Sequence, residues 1–369
     1  MTTEEPRSQP DPPPVPADLG QVTAGWLERA LRAGGLAGVE VASIAVEPLG
    51  AAGGLLGDLA RVRVAYARGQ GPATVMVKVP PADPGGHQVG SMLRAWAREG
   101  AFYREVAPAS PGARVPHCYH NGADEEAGRW VLVLEDCGPG ERPTGPGAGA
   151  SPAQAEAAVD ALAAFHATWW GSPRRFAWMP GFDSAGVGGL QPLWFSSHPR
   201  FLERFGHLIP EPTAAWLVDF SHRLPAWSAR AAAEALTVVH ADYRLDNLLY
   251  IGRQVTIIDW QTALRGPGAM DLSSFLATSL TVGDRRAAEN DLIERYRRGL
   301  ADRGVSVDAA WLARSYDETL LWWMGQFANN LARLEPADPA VQQTLDTMIE
   351  RTFTAAADRD AGRLIPDLD

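Results

Sequence analysis

Cysteine is nearly missing: Cys118 and Cys137 are the only two in 369 residues. Two thiols cannot build a disulfide framework or a cysteine-based metal centre, so a reducing, cytoplasmic setting is expected. No run of about eighteen apolar residues occurs, so no membrane-spanning helix is expected. The opening stretch, MTTEEPRSQPDPPPVPADLG, carries acids and prolines where a secretory signal would carry a basic and then an apolar segment. Positive charge is also scarce. Lys and Arg total 33 against 44 Asp and Glu, a net charge of −11. An acidic surface gains nothing from nucleic acid or an anionic membrane, and neither is expected as a partner. Internal repeats are absent. What remains is an ordinary balance of 46% hydrophobic and 21% charged residues, in a chain long enough for two domains with sizeable cores.

The chemistry is concentrated in residues 238–272, VVHADYRLDNLLYIGRQVTIIDWQTALRGPGAMDL. TVV (237–239) and QVTIID (254–259) have the short, β-branched character of buried strands. Between them a polar loop carries His240, Asp242, Asp246 and Asn247, and Asp259 closes the second apolar run. Asn247 follows Asp242 by five positions and Asp259 follows Asn247 by twelve. Such a set suits phosphoryl transfer: the amide and the later carboxylate offer hard oxygen ligands to Mg²⁺, and the first carboxylate is left to accept a hydroxyl proton. The bland alternative is a polar connection between strands that happens to hold acids.

HADYRLDN, IDWQ and GPGAMDL together resemble the aminoglycoside phosphotransferase-like family of small-molecule kinases, in the branch that includes ecdysteroid- and choline-kinase-like enzymes. The resemblance covers roughly residues 40–330. It implies an α+β, two-lobed, protein kinase-like fold, with an antiparallel β-sheet N-lobe and a mainly helical C-lobe, and it implies ATP and Mg as cofactors. Asp242 then accepts or orients the proton of the acceptor hydroxyl, Asn247 and Asp259 hold Mg²⁺, His240 braces the loop, and Asp271 anchors the loop backbone from the following helix. A simple helix N-terminal acid is the other reading of Asp271. One departure is Ala241, where the family usually has glycine; a methyl there restricts the loop if the position needs φ > 0. Arg244 can pair with Asp246 or reach a phosphate, and the sequence leaves both open.

Residues 1–18 read as a disordered tail. Residues 19–136 read as an N-terminal nucleotide-binding lobe, 137–151 as a linker, and 152–369 as a C-terminal catalytic and substrate-binding helical lobe. Thr23 is placed to cap a helix with Trp26, Leu27, Ala30 and Leu31 on one face. Strand-like segments follow at 39–49, 59–66 and 74–80. Between the first two, Gly53, Gly54 and Gly57 would let backbone amides approach phosphates, although a glycine-rich hairpin is more often just a hairpin. Lys78 lies in the apolar TVMVKVP and needs an anionic partner or an exit to solvent. The resemblance to the V-A-I-K strand of kinases makes it the phosphate lysine. Its partner is expected on a helix at 91–108, where Glu99 precedes Phe102 and Tyr103 as the family's glutamate does. Glu105 is the alternative, since Gly100 weakens the helix beside Glu99. Strands at 114–120 and 129–136 come next. The second resembles the hinge strand of kinases, whose backbone from Val133 to Glu135 would meet the adenine edge.

Beyond Ser151, a helix cap followed by Pro152, the pattern is helical. His166 reads as a satisfied structural histidine, 172–200 as an irregular segment shaping a substrate pocket, and 200–232 and everything after Asp271 as helix. Trp311, Trp322, Trp323, Met324 and Phe327 recur at near-helical spacing, more in the manner of a core stripe than of a ligand box. The activity expected is ATP- and Mg-dependent transfer of the γ-phosphate to a hydroxyl of a small molecule, such as an antibiotic, a natural-product intermediate or a similar alcohol. The alternative is a kinase-fold protein repurposed for small-molecule binding, or for a non-phosphoryl reaction such as dehydration or cyclisation.

Overall fold

The computed structural model describes residues 12–49, 57–82, 95–138, 140, 147–172, 175–184, 187, 189–336 and 338–368. The chain divides into two compact units. The first gathers Met1–Ala109, Val115–Pro139 and the three residues Asp259–Gln261; the second holds Ser110–Arg114, Gly140–Ile258 and Thr262–Asp369.

In the first unit, β1 (Glu40–Pro48), β2 (Asp58–Arg68), β3 (Thr74–Val79), β4 (Cys118–Asp124) and β5 (Arg129–Glu135) form one sheet in the order β1-β2-β3-β5-β4. Every neighbouring pair is antiparallel. The two-residue period of a strand decides what each face carries. Val75, Val77 and Val79 of β3 pack with Val62, Val131 and Val133 against Trp26, Leu27, Ala30 and Leu31 of α1 (Ala24–Ala33). Met76 and Lys78 therefore share the opposite face of β3. The Thr23 side chain accepts from the Trp26 amide at 3.2 Å and starts α1 as expected.

Residues 12–18 do not behave as a disordered tail. Pro13 and Pro16 are buried, Val15 packs on the core beneath α1, and the Pro14 carbonyl accepts from Trp26 Nε1 at 2.7 Å. Proline has no amide to satisfy, and its carbonyl gives the buried indole a partner.

The helix carrying Glu99 also differs from expectation. α2 (Ala95–Ala101) passes into a π-helical turn at Phe102–Val106 and a 3-10 turn at Ala107–Ala109. Gly100 serves close approach: Asn121 Nδ2 of β4 donates to its carbonyl at 2.7 Å, and a Cβ on Gly100 would lie 3.0 Å from Asn121 Oδ1.

The second unit is mainly helical. α3 (Pro152–Trp169) opens with a capping box in which Ser151 and Gln154 satisfy each other's amides. α4 (Leu190–Phe205) begins inside the segment expected to be irregular. Pro192 falls in its first turn, where a missing amide is harmless, and Pro199 lies within the helix. An interior proline costs about 3 kcal/mol, whereas Trp194, Phe201 and Phe205 are all buried at roughly 1.5–3 kcal/mol each, so burial wins. A 3-10 turn at Gly206–Leu208 separates α4 from α5 (Glu211–Ala233).

α6 (Ala269–Ser279) is buried at every residue; two of its hydroxyls are satisfied within the helix, Ser273 Oγ donating to the Met270 carbonyl at 3.1 Å and Thr278 Oγ1 to the Ser274 carbonyl at 2.7 Å. α7 (Val282–Ala301), α8 (Ala309–Leu331) and α9 (Pro339–Asp358) pack around it. The aromatic stripe of α8 is core at Trp322, whose ring centroid lies 5.2 Å from Trp227, 5.4 Å from Trp194 and 5.0 Å from Phe182. Two small antiparallel pairs complete the unit: β6 (Thr237–Val239) with β9 (Leu264–Gly266), and the hairpin β7 (Leu248–Ile251) with β8 (Gln254–Ile257). Among the described residues no helix is long and apolar enough to cross a membrane.

Candidate active site

The first unit brings three of the expected residues together. Lys78 Nζ donates to Glu99 Oε2 at 2.8 Å and to Asp259 Oδ1 at 2.9 Å, and Gln261 Oε1 stands 3.5 Å away. Lys78 and Glu99 are buried. Burial opposes the lysine charge, but the carboxylates of Asp259 and Glu99 outweigh it and hold the ammonium pKa above its ordinary value. Glu105, the alternative partner, lies beside Arg104 instead, 3.7 Å from its guanidinium. Asp259 adopts φ 65°, a left-handed conformation that costs a non-glycine residue roughly 1–2 kcal/mol. Gln261 Nε2 donates to Asp259 Oδ2 at 3.1 Å, and Trp260 stacks on Phe102, so the strained residue is held by the two residues that follow it.

The second unit holds the loop between β6 and β7. Asp271, fully buried near the start of α6, accepts from the His240 amide at 2.6 Å and the Ala241 amide at 2.8 Å. It thus anchors the loop backbone. His240 braces the loop from within: Nε2 lies 2.8 Å from the Ile258 carbonyl, and Nδ1 accepts from the Asp242 amide at 3.2 Å. Ala241 sits at φ 59°, the left-handed region that glycine would enter without penalty. Asn247 Nδ2 donates to the Asp242 carbonyl at 2.8 Å and to Asp242 Oδ2 at 2.9 Å. Arg244 Nε donates to Asp242 Oδ1 at 2.9 Å, and its Nη1 pairs with Asp246. The Ile258 amide donates to the Asn247 carbonyl at 3.0 Å, and the next residue along the chain is Asp259.

Some expectations fail or fall elsewhere. Gly53 and Gly54 lie outside the described residues. Gly57 is packed against β3, where a Cβ would stand 3.1 Å from the Val79 carbonyl and 3.3 Å from Lys78 Cε. Of the backbone expected to meet adenine, Val133 and the Glu135 amide are engaged within the sheet. Val133 is paired on both sides, with Val77 and His120, and the Glu135 amide donates to the His117 carbonyl at 2.8 Å. β5 is an interior strand, and its ladder accounts for the backbone of Val133.

His166 is the satisfied structural histidine that the sequence suggests, but its partners Asp271 and Tyr296 were not legible there. His166 Nε2 lies 3.2 Å from Asp271 Oδ2, and its Nδ1 lies 2.7 Å from the Tyr296 hydroxyl, all of it buried. A histidine within an apolar helix was the one available signal, and it does not name a partner more than a hundred residues away.

The sequence model of a family described as "Phosphotransferase enzyme family" matches residues 60–306. No protein of curated function matches the chain. Among solved structures, a candidate aminoglycoside phosphotransferase from Ralstonia eutropha JMP134 is 16% identical, covering 91% of this chain and 97% of its own, with a TM-score of 0.53. A choline kinase from Cryptosporidium parvum Iowa II is 11% identical over 88% of this chain and 90% of its own, with a TM-score of 0.54. Likeness at these identities carries the fold, which is the two-lobed α+β arrangement of protein kinase-like proteins.

Proposed function

The chain belongs to the phosphotransferase enzyme family, and on that footing we propose that it transfers the γ-phosphate of ATP to a hydroxyl of a small molecule. The observation that carries this reading is Lys78, a buried ammonium within 2.9 Å of two carboxylates, one of them on a residue with left-handed φ. A core lysine that needs only neutralising needs one acid. A second, strained acid is expensive unless it has another task.

In this reading Lys78 binds the ATP phosphates and Glu99 fixes its position. Asp242 receives the acceptor's hydroxyl proton as the acceptor oxygen bonds to the γ-phosphorus and the bond to the ADP oxygen breaks. The transition state is loose, so orientation and charge neutralisation contribute more than base strength. Asn247 and Asp259 are the residues that would hold Mg²⁺, which when bound supplies charge neutralisation at the phosphates. The donors fit that ion. Asn247 turns its amide nitrogen to Asp242, which leaves its oxygen as the ligating atom. A sparse oxygen set suits Mg²⁺, which takes its other positions from water and phosphate. The acceptor is expected to be an antibiotic, a natural-product intermediate or a similar alcohol. The full set of Lys78, Glu99, Asp242, Asn247 and Asp259 weighs against a fold repurposed for binding alone.

The test is a melting experiment with and without Mg·ATP on the wild type and Asp259→Ala. Nucleotide at about a hundred times its Kd stabilises the folded state by about 2.7 kcal/mol, a shift of several degrees. A magnesium-dependent shift in the wild type that vanishes in Asp259→Ala supports the reading, and ADP release is then screened against hydroxylated acceptors. No shift at millimolar nucleotide would sink it.

A further inference from the structure

We propose that Arg244 is a positioning residue that fixes the rotation of the Asp242 carboxylate, a role that rests on the reading of Asp242 as the proton acceptor. The terminal torsion of an aspartate is broad, and rotation about it turns the accepting lone pair away from a substrate. Here the carboxylate is gripped at both oxygens: Oδ1 by Arg244 Nε at 2.9 Å and Oδ2 by Asn247 Nδ2 at 2.9 Å. The Asp242 side chain is 33% exposed, and these two bonds are the ones that reach its carboxylate oxygens from side chains of the same loop.

The guanidinium is itself held. Its Nη1 pairs with Asp246 and lies 3.9 Å from Met348 Sδ on α9. Arg244 thus uses two nitrogens of one rigid plane on two acids, where lysine would offer a single nitrogen on a flexible stem.

A purely structural role is the competing explanation, and the surrounding bonds argue against it. The loop backbone is secured without Arg244. Asp271 takes the amides of His240 and Ala241, Ser279 Oγ accepts from the Leu245 amide at 3.0 Å, and Thr262 Oγ1 donates to the His240 carbonyl at 2.8 Å. The Tyr243 hydroxyl donates to the Ala158 carbonyl at 2.8 Å. The Arg244–Asp246 pair adds little to this, because the Asp246 side chain is 61% exposed and surface ion pairs are weak. To this set Arg244 adds the hold on Asp242 Oδ1.

The experiment compares acceptor-dependent ADP release by the wild type, Asp242→Asn, Arg244→Met, Arg244→Lys and Asp246→Ala, with ligand-free melting of each as the folding control. Expected for Arg244→Met is a kcat about 10- to 100-fold lower, the scale of a misplaced catalytic group, with the KM for ATP within about twofold of wild type. Arg244→Lys falls between the two, and Asp246→Ala stays near wild type. Should Arg244→Met fail to fold, Arg244→Lys carries the test, and a wild-type kcat there overturns the proposal. A wild-type kcat in Arg244→Met, or an Asp246→Ala defect equal to that of Arg244→Met, also overturns it and leaves the phosphotransferase reading standing. A wild type without phosphoryl transfer, indistinguishable from Asp242→Asn, overturns that reading and this role with it.

Discussion

Phe102 and Trp260 lie face to face, ring centroids 3.9 Å apart and planes 8° from parallel. Both are fully buried. Phe102 opens the π-helical turn just after Glu99, and Trp260 directly follows Asp259. The stack therefore bolts the two acids that face Lys78 onto one another's elements. Phe102→Ala is expected to cost about 3–5 kcal/mol, the usual range for an emptied aromatic site, read from urea denaturation. It should also abolish the Mg·ATP melting shift. Phe102→Leu, which refills most of the volume, should restore most of the stability and less of the nucleotide response.

Lys78→Met leaves Glu99, 1% exposed, with a carboxylate that has lost its buried partner. Removing one member of a buried pair costs about 3–5 kcal/mol at neutral pH. Because the folded-state pKa of Lys78 is raised above its unfolded value of 10.5, the lysine's contribution is fully present below that pH. It is lost as pH climbs through the raised folded value. The stability gap between wild type and Lys78→Met should therefore be flat through neutral pH and narrow only in strongly alkaline urea titrations. A gap that narrows between pH 6 and 8 would contradict the assignment.

Asp271→Asn puts an NH₂ donor where the backbone amides of His240 and Ala241 and the ring of His166 now meet a carboxylate. Only one oxygen remains to accept, and at least one buried amide is left unpaired. The expected loss is about 2–4 kcal/mol. Amide hydrogen exchange should show the loss of protection concentrated at residues 240 and 241, while the β3 amides stay protected.

Ala241→Gly should stabilise the fold. At φ 59° the alanine pays a left-handed penalty of roughly 1–2 kcal/mol, and glycine returns part of that as extra freedom in the unfolded chain. A net gain of about 0.5–1 kcal/mol is expected by denaturant titration. Ala241→Val, whose branched side chain fits that region worst, should lose more than 1 kcal/mol.

The polar loop from His240 to Asn247 is legible in the sequence because its side chains are distinctive residue types at short fixed spacing. The choice of Glu99 over Glu105 was legible through its offset from Phe102 and Tyr103, and Lys78 does face Glu99. Other features had no local signal. His166 reaches Asp271 and Tyr296 across long separations that leave no periodic trace. α4 was hidden by two prolines whose cost is offset by aromatic burial visible only in three dimensions. The docking of residues 12–18 depends on a single indole donor on α1. At Val133 the strand is legible in the sequence, but its interior place in the sheet, which engages its backbone, is a property of partners and not of the strand itself.

Asp259–Gln261 belong by their contacts to the first unit, while the chain on either side of them belongs to the second. No single cut can therefore divide the protein into two whole parts. A fragment ending after Pro139 would inherit the lysine of β3 with one of its two acids, and the remainder would carry the other acid with no lysine. Two such pieces expressed separately would have to find each other again before either held a finished ion cluster.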